Sequence, residues 1–146
     1  MRFRSITVMI ALAGCGDLPT HPAGRLTGTW EVATAMLTES GSPVTSTISE
    51  LVLGLTQTGT ALTGYSSTWT FGTQGSAGQS SIPILGSAIR GGEVHGDSLQ
   101  FEIVPGFHFS ALVFGDSIKG LATYTLEHFG NRTLIRTGPF AAVRRR

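Results

Sequence analysis

Residues 94–118, VHGDSLQFEIVPGFHFSALVFGDSI, hold the reading that decides the fold. Val94-His95-Gly96-Asp97-Ser98-Leu99 recurs as Val113-Phe114-Gly115-Asp116-Ser117-Ile118, 19 residues later. Each copy ends one strand, turns, and starts the next strand with an aliphatic residue. Gly adopts positive φ without steric cost and Asp tolerates it, so both copies suit tight turns. Between them, Leu99, Phe101 and Ile103 share one strand face, and Phe107, Phe109, Ala111 and Val113 share another. Alternation with period two marks a half-buried strand. Gln57-Thr58-Gly59-Thr60-Ala61-Leu62 has the same character 37 residues before the first copy.

The pattern extends outward in both directions. From Thr27 onward no window repeats apolar residues at helical spacing over three turns, and threonine is abundant. Strands are expected near 28–38, 47–57, 61–71, 82–92 continuing through 93–95, 98–104, 107–114, 118–127 and 132–144. The last is either one long bent strand or two short ones around Gly138-Pro139. The polar stretch Gly72 to Ser81 reads as a long, flexible loop. Opposite strand faces are largely polar, which fits an antiparallel sheet with one wet side. The expected fold is all-β: an antiparallel up-and-down meander of about eight strands, closed into a barrel so that no edge stays open. A β-sandwich or an open barrel is the alternative.

The chain has 146 residues, 40% hydrophobic and 13% charged, which suits one domain around one core. A formal charge of +1 argues against nucleic-acid binding. A single cysteine excludes an internal disulfide framework.

Residues 1–14 read as a signal peptide. Met1-Arg2-Phe3-Arg4 is short and basic, Ser5 to Ala13 is mostly apolar, and small residues precede Cys15. The apolar run is about half the ~20 residues that span a bilayer. Leu12-Ala13-Gly14-Cys15 resembles the lipobox of bacterial lipoproteins. The resemblance implies cleavage before Cys15, palmitate-type acylation of its thiol, and a membrane partner reached through that anchor. The expected location is the cell envelope, on the periplasmic or cell-surface face. Residues 15–26 then form the lipidated cysteine and a Pro- and Gly-containing tether, and 27–146 the barrel domain. Without Arg2 and Arg4 the ten basic side chains become eight, against nine acids.

Leu26-Thr27-Gly28-Thr29-Trp30 opens the first strand with Gly-x-Trp, which resembles the start of the calycin barrels, the lipocalins and avidins. Leu62-Thr63-Gly64-Tyr65 resembles an avidin strand. The lipocalin resemblance implies that an arginine of the last strand packs over Trp30 and closes the barrel; Arg144 fits, with Arg145 as substitute. A Thr-Asp-Tyr type turn is missing, and with only Trp30 and Trp69 the biotin-lining tryptophans of avidins are not matched.

Chemistry-bearing constellations are not expected. His21, His95, His108 and His128 show no metal-ligand spacing, so no metal and no cofactor is expected. There is no Gly-x-Ser-x-Gly elbow, and Ser110 and His108 share a strand face without an orienting acid. The glutamates fall on exposed faces by alternation. No catalytic residue is assigned, and the chain reads as a non-enzyme. Strand phase points Leu53, Leu55, Gly64, Phe101, Phe109, Gly120, Ala122 and Tyr124 into the barrel, with Trp30 and Phe140. These residues either fill the interior or line room for one small apolar ligand. A second reading is an envelope interaction module using an outer patch of Leu112, Phe114 and Val52.

Overall fold

The computed structural model describes residues 25–103, 106–128 and 132–146. Cys15, the signal segment 1–14, His21 and all but the last two residues of the tether lie outside them. Among the described residues the secondary structure is all β, in twelve antiparallel strands.

Four of the expected long runs each break into two strands. The 28–38 run becomes β1 (Gly28–Val32) and β2 (Ala35–Thr38), and the 47–57 run becomes β3 (Thr45–Ser49) and β4 (Val52–Thr58). Likewise 61–71 yields β5 (Ala61–Ser66) and β6 (Trp69–Gly75), and 82–95 yields β7 (Gly78–Ile84) and β8 (Ile89–His95). The remaining strands are β9 (Ser98–Ile103), β10 (Phe107–Phe114), β11 (Ser117–His128) and β12 (Arg132–Arg144). The last runs through Gly138-Pro139 as one strand.

The ring β1-β4-β5-β8-β9-β10-β11-β12 closes through β1–β12 pairing, where Trp30 faces Arg144 and Val32 faces Ala142. This is a closed eight-strand barrel, so neither the sandwich nor the open barrel holds. The other strands, β2-β3-β6-β7, continue outside the ring from β12, starting at the pair Thr38↔Thr137. The strand breaks mark where the chain leaves the ring, and side chains staple them. Ser67 Oγ accepts from the Val52 N–H (3.0 Å), Ser66 Oγ from the Ser87 N–H (3.0 Å), and Thr70 Oγ1 donates to Glu50 Oε2 (2.9 Å). Glu50 itself has φ 63°, an uncommon conformation for a side-chain-bearing residue, held at the β3–β4 corner.

The stretch Gly72 to Ser81 is a hairpin, not a long loop. Gly72 pairs Ser81, Thr73 pairs Ser80 and Gln74 pairs Gln79. Strand β7 ends the sheet, and its residues from Gly78 to Pro83 are all exposed. An edge strand wet on both faces has no reason to alternate apolar and polar residues, so its sequence looks like a loop.

The repeated turns share one geometry. Gly59, Gly96 and Gly115 have φ 60°, 60° and 59°, while the Thr or Asp after each stays at negative φ. Positive φ at the first central residue alone is the type II′ requirement. All three turns lie at one end of the barrel, the lower end, where the chain enters at Arg25 and leaves after Arg144. The strands outside the ring lie toward the upper end.

Alternation fixes the core. Strand β10 alternates buried and exposed over all eight residues. Phe101 stacks on Phe109 at 4.8 Å, and Phe109 meets Phe140 edge-on at 4.8 Å. These rings fill the middle of the barrel with Trp30, Leu53, Leu55 and Ala122, all buried.

Candidate functional site

The two barrel ends differ. At the lower end the Arg144 guanidinium lies 4.6 Å from the ring centroid of Trp30, which is fully buried. The indole Nε1 donates to the Leu26 carbonyl at 2.9 Å. Arg144 donates to the carbonyls of Thr27 (2.6 Å) and Arg25, and its Nε pairs with Asp116 at 3.1 Å. Arg25 pairs with Asp97 at 2.9 Å. Thus the Asp of each repeated turn is paired with arginine: Asp97 with Arg25, just before β1, and Asp116 with Arg144, at the end of β12, and, at 3.4 Å, with Arg146. Gly28 explains its own place in Gly-x-Trp: it has φ +142°, and a Cβ there would lie 2.9 Å from Arg144 Nη1. Among the described residues the lower end is tied shut by these contacts.

Most of the residues expected to face the interior belong to the filled middle. Leu53, Leu55, Phe101, Phe109 and Ala122 are buried against one another. Gly64 and Gly120 are half-buried close-approach positions. A Cβ on Gly64 would strike the Gly54 carbonyl oxygen, and one on Gly120 would strike the backbone of Ser110 and Ala111. Tyr124 is half-buried and belongs to the upper end.

There the aromatic side chains form a different cluster. Phe107 stacks on Tyr124 at 4.5 Å, Phe71 meets Phe107 at 5.1 Å and Tyr124 at 4.9 Å, and Trp69 meets Phe107 at 4.8 Å. Phe71 and Trp69 come from β6, outside the ring, so the outer strands fold their inner face over the barrel mouth. That face continues from Ile48 and Phe71 to Ser46 and Thr73, which are paired neighbours. Beyond them a cleft of about 400 Å³ opens, lined by Val44, Thr73, Gly75 and the β6–β7 turn through Ser80.

Arg136 sits behind this wall. It is 8% exposed, and among the described residues it is the only buried charged side chain. Its Nη1 donates to Ser46 Oγ at 2.5 Å, and Ser46 Oγ lies 3.5 Å from Thr73 Oγ1. Among the described residues no carboxylate pairs with it and its Nε has no hydrogen-bond partner; Trp69 Nε1 is likewise unpartnered. Arg136 escaped sequence reasoning, although a signal existed. It stands four residues before Phe140, so the alternation that buries Phe140 also turns Arg136 inward.

The two histidines whose side chains are described, His95 and His108, are peripheral. His95 is exposed 3.3 Å from Glu93, and His108 is exposed 3.9 Å from Glu102 on the outer barrel wall. Among the described residues no three His, Cys, Asp or Glu side chains converge as a metal site would need.

Comparison with protein-family models, curated proteins and solved structures returns no match to this chain.

Proposed function

We propose that this chain is a lipid-anchored, extracytoplasmic barrel that binds a small apolar ligand at its upper end. The observation that carries the reading is the contrast between the two ends. The lower end is sealed by Trp30 and Arg144, whereas the upper end presents half-buried Tyr124 packed on Phe71 and, past Ser46 and Thr73 on the outer strands, an open cleft. Binding sites in small barrels lie at the mouth, where apolar walls carry a few placed polar groups.

The lipobox resemblance supplies the point of attachment. Ten residues join Cys15 to Arg25, a reach of at most about 35 Å. An anchor at Cys15 joins the domain at its lower end, the end opposite the cleft. The calycin resemblance agrees with this division into a closed and an open end.

The test is displacement of the neutral dye Nile red, followed with Cys15→Ser protein, which needs no detergent. Saturable dye binding that Tyr124→Ser weakens supports the reading; a protein that takes up no dye contradicts it.

A second reading, an envelope interaction module, is favoured by the outer wall. Leu112, Phe114 and Val143 are 46%, 57% and 55% exposed. The register sets Phe114 opposite Ser117, Ser117 opposite Val143, Val143 opposite Glu31, and Glu31 opposite Val52. Phe114 and Val52 therefore end one row with Val143 between them, a strip interrupted by Glu31 and Ser117. A stoichiometric partner crosslinked in cells and lost on Phe114→Glu would favour this reading over the first.

A further inference from the structure

We infer that the upper-end site takes an amphiphile with one carboxylate headgroup, and that Arg136 is the residue that receives it. This deepens the apolar-ligand reading and rests on it.

The first argument is electrostatic. A guanidinium removed from water is costly unless a charge and hydrogen bonds compensate it. Arg136 is more than nine-tenths buried, and among the described residues its compensation is a single hydroxyl, Ser46. The lower-end arginines show what this fold does when an arginine is purely structural. Arg144 has a carboxylate, two carbonyls and an indole face. Arg25 has Asp97. Arg136 has no such set.

The second argument is geometric. Nη1 of Arg136 is taken by Ser46, while Nε, on the edge it shares with Nη2, is buried without a hydrogen-bond partner among the described residues. That edge offers two parallel N–H donors, the arrangement that matches the two oxygens of a carboxylate. Ser46 and Thr73 continue the polar line from Arg136 to the cleft. Either hydroxyl of that weak pair can rotate to donate to an incoming oxyanion.

The third argument is the wall. Phe71, Phe107 and Tyr124 pack together on the same inner face, and Arg136 is the cross-strand partner of Tyr124. A polar anchor beside an apolar wall suits a ligand with a charged head and an apolar body. An inorganic anion would leave that wall unused.

The experiment compares decanoate with its methyl ester, which keeps the chain and removes the charge. Binding is measured by calorimetry and tryptophan fluorescence on the Cys15→Ser protein, its Arg136→Met derivative and its Arg136→Lys derivative. The expected result is at least tenfold tighter binding of decanoate than of the ester. Arg136→Met abolishes the preference by weakening decanoate binding more than ester binding, and Arg136→Lys retains part of it. Equal affinity for acid and ester, or a preference that survives Arg136→Met, overturns the headgroup assignment and leaves the apolar-ligand reading intact. Failure of both compounds to bind overturns both readings. If Arg136→Met does not fold, the acid-to-ester ratio of the parent and of Arg136→Lys decides the question.

Discussion

Arg144 is the cross-strand partner of Trp30 in the β1–β12 pair, and its guanidinium lies over the same indole at 4.6 Å. The pair that closes the ring through the backbone therefore also closes it through side chains. Arg144→Ala removes a cation–π contact, a partly exposed ion pair with Asp116 and two charged donors to backbone carbonyls. The expected loss of stability is about 2–4 kcal/mol, read from urea denaturation. Arg144→Lys should recover less than half, because an ammonium cannot hold Thr27, Arg25 and Asp116 from one plane.

Gly28 and Arg144 should couple. A Cβ at Gly28 meets Arg144 Nη1, and φ +142° suits glycine alone. Gly28→Ala is expected to cost about 1–3 kcal/mol through both effects. In a double-mutant cycle with Arg144→Ala the steric part disappears and the backbone part stays. The two losses should therefore sum to more than the double mutant shows. Strict additivity would mean that backbone strain alone accounts for the glycine.

Gly120→Ala tests why small residues face the barrel wall. The added methyl would overlap the Ser110 carbonyl and the Ala111 backbone, neither of which is a flexible side chain. Overpacking against backbone is expected to cost about 3 kcal/mol or more. A thermal melt within a few degrees of wild type would mean that β10 and β11 can part more easily than their eight-pair register suggests.

Cys15→Ser should move the protein from the membrane fraction to the soluble one. Its cysteine thiol is the only one in the chain, and the lipobox resemblance assigns it the acyl anchor. Retention in the membrane fraction would remove the anchor, and with it the attachment of the domain at the end opposite the cleft.

The barrel was legible because its ring strands are half-buried. Strand β10 displays its inner and outer faces in plain alternation, and the Gly-Asp turns mark where it begins and ends its neighbours. Trp30 and Arg144 were legible through resemblance at the two chain ends. The upper end was not. Strand β7 is wet on both faces and carries no period. At the corners near Ala33, Glu50 and Ser67 the buried phase slips by one residue, from Trp30 and Val32 to Ala35 and Leu37, from Ile48 to Leu51, and from Leu62 and Ser66 to Trp69 and Phe71. A slip of one residue without a proline or a run of glycines is easily read through as one strand. The cleft is built by strands that meet only because those corners turn, and its hydroxyls, Ser46 and Thr73, look like ordinary strand residues in sequence. Arg136 alone carried a signal, a charge on an inward phase.

That charge has a consequence for the empty protein. Replacing a buried, poorly compensated ion by an apolar residue of similar length is often neutral or stabilising by about 1–4 kcal/mol, whereas breaking a compensated pair costs about 3–5 kcal/mol. Ser46 keeps a neighbour in Thr73 if Arg136 is lost, so no isolated hydroxyl is created. Methionine also retains most of the aliphatic stem that packs inside the barrel mouth. Arg136→Met is therefore expected to leave the ligand-free protein as stable as wild type or more so in urea denaturation. Adding decanoate should then reverse the order, because only the wild type gains from the bound carboxylate. A loss of 3–5 kcal/mol without ligand would instead mean that the guanidinium is fully compensated by the fold, and that its role is to hold β12 to β3 through Ser46.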